Sequence, residues 1–122
     1  MRPVLMIALA LALAGAVAGP AGAHAFLVEA SPKVGGRVAA SPTELRLSFD
    51  EDLAPRQSSV VLSDAAGHVV VTGAARLDAK DVSLMIVPLV GRLAPGRYLV
   101  RWRAVSPDHH VNTGDYSFSV GP

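Results

Sequence analysis

The chain has 122 residues, a formal net charge of +1 and no cysteine. A chain of this length forms at most one domain, and the lack of cysteine excludes disulfides, thiol catalysis, cysteine-bound zinc and iron–sulfur clusters. The near-zero charge argues against a nucleic-acid binder, which usually carries a basic face.

The first 23 residues are much richer in hydrophobic residues than the rest of the chain. Arg2 precedes an apolar run over residues 4–17, and a stretch of Gly, Pro and Ala follows it. This layout is typical of a secretory signal peptide, and the run is short against the roughly 20 apolar residues of a membrane span. We therefore expect a cleavable signal helix in residues 1–23 and a mature domain over residues 24–122. An uncleaved membrane anchor is the alternative.

The cleavage point has two solutions. Small residues stand at Ala21 and Ala23, and again at Ala23 and Ala25. Both pairs satisfy the small-x-small rule of signal peptidase. The mature chain therefore begins at either His24 or Phe26, and its formal charge after the first cut is zero, with ten basic and ten acidic residues.

Short apolar runs separated by turn signals predict an all-β mature domain. In chain order the predicted strands cover residues 25–30, 43–50, 59–63, 69–72, 82–87, 97–105 and 116–120. About seven short strands at this spacing favour a sandwich or barrel over a helical or α/β fold. Residues 93–98 also resemble the tyrosine corner that opens a strand in immunoglobulin-like sandwiches.

The inward positions of these strands predict the hydrophobic core. Trp102 lies between apolar neighbours in its strand, so we expect a core residue rather than a stacking platform. The strand pattern likewise makes Met85 a core residue rather than a metal ligand. The predicted core consists of Leu27, Leu45, Leu47, Phe49, Val61, Val70, Leu84, Ile86, Tyr98, Val100, Trp102, Tyr116 and Phe118.

His24 is the first candidate for chemistry if cleavage makes it the N-terminus. A terminal histidine offers its α-amine and its ring Nδ1, which together close a chelate on one metal ion. Both groups titrate near neutral pH, at about 7.7–8 and 6.5, so a metal can displace their protons. The ordinary alternative is a frayed chain end.

The second candidate is the loop SPDHH at residues 106–110. In extended backbone Asp108 and His110 would project to one side and His109 to the other. With His24 they would supply three nitrogens and one oxygen, a set that favours Cu(II), or less often Ni(II), in tetragonal geometry. Zinc is the competitor, but its structural sites commonly use thiolates. A solvated turn is the ordinary alternative for an Asp-x-His loop.

Other polar residues are weaker candidates. Asp50, Glu51 and Asp52 form an acidic run at a strand end, ordinarily a solvated edge. Glu51 could instead accept a hydrogen bond from a ligand histidine and orient it. His68 is expected at the surface of a hairpin turn, and His109 is expected to be exposed.

Taken together, these residues resemble the copper resistance protein C (CopC) family of periplasmic copper-binding proteins over essentially all of residues 24–122. The resemblance rests on HAFL at residues 24–27, Ala30-Ser31-Pro32, LRLSFDE at 45–51, GRYLVRWR at 96–103, SPDHH at 106–110 and GDYSF at 114–118. An N-terminal histidine combined with the Asp-x-His loop is the specific part of this signature.

The resemblance implies an immunoglobulin-like or cupredoxin-like Greek-key sandwich that binds one Cu(II) ion in the periplasm. The implied ligands are the amine and ring of His24, the Asp108 carboxylate and the His110 ring. By position, Glu51 matches an acidic residue near the family's copper site. The implied function is sequestration or delivery of copper by a monomer that is not an enzyme, with a CopD-like inner-membrane copper transporter as recipient. The resemblance also favours cleavage after Ala23.

The chain departs from one branch of the family, whose members carry a methionine-rich Cu(I) site. The matching segment, residues 52–59, has no methionine, and Met85 alone remains after residue 23. We therefore expect no Cu(I) site, because soft thioethers are the ligands that Cu(I) selects. Two other functions stay open on the residues alone: a copper-dependent redox enzyme with a histidine-brace-like chelate, and a metal-free immunoglobulin-like interaction module.

Overall fold

Two β-sheets make up the described part of the chain, residues 25–122 of a computed structural model. The predicted signal peptide and His24 lie outside the described residues. The strands are β1 (Leu27–Ser31), β2 (Arg37–Val38), β3 (Glu44–Phe49), β4 (Ser59–Asp64), β5 (Val69–Val70), β6 (Arg76–Leu77), β7 (Leu84–Pro88), β8 (Gly96–Val105) and β9 (Val111–Val120). The described residues include no helix of the length and hydrophobicity needed to cross a bilayer.

The strand order within the sheets confirms the all-β sandwich prediction. One sheet has the order β1-β3-β7-β6, and the other has the order β2-β9-β8-β4-β5. Most neighbours in a sheet are distant in sequence, so the chain crosses between the sheets as a Greek key requires. Each of the seven predicted strands is present. The two that were not predicted, β2 and β6, have two residues each, too few to carry a periodic pattern.

The core lies between the inner faces of the two sheets. Phe49 of one sheet meets Trp102 of the other edge to face, with ring centroids 5.1 Å apart. Met85 is fully buried, which confirms its prediction as a core residue. The other predicted core residues are buried except Leu27 and Val70, which pack partly buried against the core, and Val61.

The prediction for Val61 is wrong, because this side chain is 47% exposed. Val61 pairs with the exposed Arg101 on β8, while its neighbour Leu62 is fully buried. Residues 60–62 are all apolar, so the sequence of β4 did not fix which alternate residues face inward.

The β8–β9 hairpin is the longest element of the fold and carries the candidate site. Its antiparallel ladder runs from Gly96↔Val120 to Val105↔Val111. At its beginning the Tyr98 hydroxyl donates a 2.6 Å hydrogen bond to the Ala94 carbonyl, which is the contact that defines a tyrosine corner. The far end of the same hairpin presents residues 106–110.

Candidate metal site

A tight five-residue loop, residues 106–110, closes the β8–β9 hairpin. The His109 amide donates to the Ser106 carbonyl at 2.8 Å, and the Ser106 amide donates to the His110 carbonyl at 3.0 Å. His109 has a φ of 69°, in the left-handed region that few non-glycine residues adopt. The expectation of extended backbone here is therefore wrong, since the chain reverses direction within the loop.

Asp108 and His110 nevertheless converge, as predicted. Asp108 Oδ2 lies 2.8 Å from Nδ1 of the His110 ring. About half of each side chain is exposed, so an ion from solvent can reach the pair. The turn, and not the alternation of a strand, brings the two side chains together.

Ser106 is the residue of this loop that sequence reasoning missed. It is fully buried, the one buried polar residue of the core in residues 25–122. Its hydroxyl donates a short hydrogen bond to Asp108 Oδ1. This bond, followed by the contact with the His110 ring, lowers the pKa of Asp108 to about 2. The carboxylate is thus ionised at neutral pH and held at both oxygens. The sequence signal for Ser106 was weak, because a serine before a proline is usual in an exposed turn.

The first described residues are attached beside this loop. The Asn112 side-chain amide donates to the Ala25 carbonyl at 3.0 Å, and Ala25 is buried. The Phe26 amide donates to Asp50 Oδ1 at 2.8 Å, and the Asp50 amide returns a 3.0 Å bond to the Phe26 carbonyl. These bonds fix residues 25–26 at the end of the sandwich that carries residues 106–110.

The acidic run lies at this same end. Asp50 contacts Phe26, and the Ala54 amide donates to the Val105 carbonyl at 2.7 Å. Glu51 lies between these two attachments and is half-buried. No hydrogen bond of its side chain to any residue in 25–122 is present, so a role for Glu51 in orienting a ligand stays a prediction.

The remaining histidines are placed as expected. His68 is exposed in the β4–β5 turn, and this turn lies at the opposite end of β8, since Asp64 pairs with Tyr98. His109 is exposed in the loop. Within residues 25–122, no three His, Cys, Asp or Glu side chains are grouped closely enough to hold a metal ion. The described residues thus contribute two neighbouring donors, Asp108 and His110.

Comparison with known proteins identifies the relatives of this chain. Residues 27–121 match the CopC domain family. The chain belongs to the CopC family. The protein YobA of Escherichia coli strain K12 is 34% identical over 116 residues, covering 95% of this chain and 94% of YobA.

Solved structures of the CopC family share the fold. The crystal structure of CopC from Methylosinus trichosporium OB3b is 37% identical, with a TM-score of 0.75, and the match covers 81% of this chain and 95% of that one. PcoC from Escherichia coli, described as a methionine-rich copper resistance protein, is 33% identical with a TM-score of 0.73, and the match covers 80% of this chain and 99% of PcoC.

The methionine content separates this CopC-family chain from PcoC. Met85 is fully buried and pairs with Leu47 inside the sheet, so its thioether is not presented to an ion from solvent. Residues 52–59, which follow Glu51, contain no methionine. The two described donors at the candidate site, Asp108 and His110, are therefore an oxygen and a nitrogen.

Proposed function

We propose that this chain is exported to the periplasm and there binds one Cu(II) ion, in order to sequester it or deliver it. In this proposal the ligands are the α-amine and ring of His24, the Asp108 carboxylate and the His110 ring. Cleavage after Ala23 creates the amine. The names of CopC-family relatives as copper resistance proteins support the choice of metal.

The spacing of the two described donors supports this ligand set. Two ligand atoms at right angles around a metal, each about 2.0 Å from it, are about 2.8 Å apart. Asp108 Oδ2 and His110 Nδ1 have this separation, 2.8 Å. A copper ion that displaces the hydrogen between them would lie off the line that joins the two atoms, so both side chains would turn toward the ion while keeping this separation. Since the pKa of Asp108 is about 2, the carboxylate carries no proton for the ion to displace at neutral pH.

The attachment of Ala25 is the single observation that carries the proposal. Its carbonyl accepts a hydrogen bond from Asn112, and Asn112 is two residues from His110. Adjacent residues of a chain have Cα atoms about 3.8 Å apart across a trans peptide bond. The attachment of Ala25 therefore supports the choice of the preceding residue, His24, as a ligand with Asp108 and His110.

The charges at this end of the sandwich also support a cation site. Asp50, Glu51, Asp52 and Asp108 all lie at this end, because the Phe26–Asp50 and Ala54–Val105 contacts join their segments there. Carboxylates gathered on one end of a protein raise the local concentration of cations and speed their capture. Glu51 is the carboxylate that we propose orients a ligand histidine.

The proposed role is carriage of copper rather than catalysis. In this proposal the protein is a monomer, and a CopD-like inner-membrane copper transporter is the recipient. Binding should weaken in acid, because protons compete with copper for an α-amine whose ordinary pKa is about 7.7–8.

Copper titration of the exported protein tests this function. We expect His24→Ala, His110→Ala and a variant with one glycine added before His24 each to weaken Cu(II) binding more than about a hundredfold, since loss of an outer-shell partner alone costs about 10–100-fold. His68→Ala and His109→Asn are the matched controls. His109→Asn removes an imidazole from the loop but keeps a residue that tolerates the left-handed backbone.

The glycine extension is the decisive variant. If it binds Cu(II) as tightly as the protein that begins at His24, the amine is not a ligand and the proposal is wrong. Mass spectrometry of the exported protein provides the second check, because an N-terminus at Phe26 would remove His24 altogether.

A further inference from the structure

Positive charge is concentrated on the outer face of the five-stranded sheet. Four exposed arginines on this face, Arg37, Arg97, Arg101 and Arg103, alternate with inward-facing residues of β2 and β8. The one acidic residue on the same face of these strands is Asp115 of β9, directly opposite Arg101. Four arginines against one carboxylate give this face a net charge of +3, whereas residues 24–122 as a whole have a net charge of zero.

The arginines line a trough rather than a flat surface. A cavity of about 780 Å³ is bounded on one side by Val34 and Gly35 and on the other by the β4–β5 turn, with Arg97 and Arg101 at its centre. A second depression of about 390 Å³ continues it toward Arg103 and shares Arg101. We call the two together the arginine trough. Its Arg103 end is three residues from Ser106, at the start of the candidate metal loop.

The four arginines differ in the hydrogen bonds that they make within the protein. Arg97 donates to the Ser117 hydroxyl at 3.1 Å and Arg103 to the Gln57 carbonyl at 2.8 Å. Arg37 donates to the carbonyls of residues 121 and 122. The Arg101 guanidinium, by contrast, makes no hydrogen bond or ion pair with any residue in 25–122, although Asp115 is its cross-strand neighbour. It therefore has its full set of donors to offer a ligand.

Two carboxylates in the lining of the trough, Asp64 and Asp115, offset part of this charge. Asp64, at the β4–β5 wall, accepts hydrogen bonds from the amides of Ala66 and His68 at 3.0 and 2.9 Å. Its second oxygen lies 3.5 Å from the His68 ring. Asp64 keeps its charge in its turn, so three arginines stand against two carboxylates, Asp64 and Asp115, and the lining of the trough has a net charge of +1.

We propose that the arginine trough docks an extended, acidic segment of a partner protein. Arginine presents paired donors that match the geometry of a carboxylate, and a volume of this size accommodates several side chains. The walls favour a narrow chain over a membrane, because a planar lipid surface could not reach the floor. The large exposed apolar residues on this face and at the wall of the trough are Val34, Val61, Val69 and Val111, none of which is aromatic. The proposal does not depend on copper binding.

Binding of a fluorescein-labelled octaglutamate peptide to the exported protein tests this proposal by fluorescence anisotropy. We expect saturable binding that weakens about tenfold or more when NaCl is raised from roughly 20 to 200 mM. The double variant Arg97→Gln/Arg101→Gln should weaken binding at least about tenfold. Amide NMR shifts should concentrate in β8, β9 and the β4–β5 turn. Octaglutamine should not bind.

The matched control is Arg76→Gln/Arg92→Gln, which makes the same change in net charge at exposed sites outside the trough. An equal loss in both double variants would overturn the proposal, since binding would then follow net charge alone. Shifts confined to other surfaces would also overturn it, as would binding to phosphatidylglycerol vesicles without binding to the peptide. Unchanged Cu(II) affinity in both double variants separates this result from the proposed copper function.

Discussion

The two tyrosines of the β8–β9 hairpin should respond in opposite directions to loss of their hydroxyl groups. The Tyr98 hydroxyl donates to the Ala94 carbonyl at 2.6 Å. The Tyr116 hydroxyl is buried and has no hydrogen-bond partner among residues 25–122. Burial also raises the pKa of Tyr116. The same substitution, tyrosine to phenylalanine, therefore removes a hydrogen-bonded hydroxyl at Tyr98 and a hydroxyl without a hydrogen bond at Tyr116.

The magnitudes follow from these environments. Tyr98→Phe removes a hydrogen bond whose net contribution is about 0.5–1.5 kcal/mol. Because Ala94 is exposed, water can replace the lost donor, and we expect a loss of about 1 kcal/mol. In the parent protein, burying the unpaired Tyr116 hydroxyl costs about 1–3 kcal/mol, and Tyr116→Phe removes this cost. After allowing for the small void left by the oxygen, we expect a gain of about 1 kcal/mol.

Urea denaturation of the two variants and the parent protein measures both effects. With a slope of about 1–3 kcal/mol/M, a change of 1 kcal/mol shifts the midpoint by about 0.3–1 M urea. We expect Tyr98→Phe to have the lowest midpoint and Tyr116→Phe the highest, with equal slopes, because the surface exposed on unfolding is unchanged. A Tyr116→Phe variant as unstable as Tyr98→Phe would contradict this expectation, since it would mean that the Tyr116 hydroxyl is hydrogen-bonded in solution.

Two further predictions concern carboxylates. Ser106→Ala should weaken Cu(II) binding about tenfold at neutral pH, through orientation of Asp108 rather than protonation, because its pKa of about 2 could rise only toward 3.8. A chelator-competition titration measures the affinity, with Ser58→Ala as the control. This variant removes a hydroxyl that accepts from the Val105 amide but does not touch Asp108. An equal loss of affinity in Ser58→Ala would contradict the prediction. Hydrogen bonds from the turn lower the pKa of Asp64 below 3.8, so its stabilisation is present above that pH and is lost as pH falls through the lowered value. The destabilisation by Asp64→Ala should therefore shrink between about pH 5 and pH 2 in urea denaturation; a constant difference would be the contrary result.

Local patterning was sufficient to predict most of the fold. Strict alternation along β3, β8 and β9 identified their buried faces, because a strand with one face in water must repeat every two residues. The pattern failed at Val61, where three consecutive apolar residues leave the phase undetermined, and at β2 and β6, which are too short to have a period. In those places, pairing with neighbouring strands decides the structure.

The candidate site could likewise be predicted only in part from the sequence. The donor chemistry could be predicted from the residues: a cysteine-free chain with one methionine after residue 23 offers oxygen and nitrogen ligands, and its Asp-x-His loop supplies one of each. How these donors meet could be seen only in the folded chain. A left-handed residue at His109 and the buried Ser106 form the loop, and Asn112 and Asp50 hold residues 25–26 beside it. The Phe26–Asp50 and Ala25–Asn112 bonds join residues that are 24 and 87 positions apart along the chain. A periodic pattern describes only residues that are near one another in sequence. For this reason the position of the site, and the clustering of arginines on one sheet face, could be seen only in the folded protein.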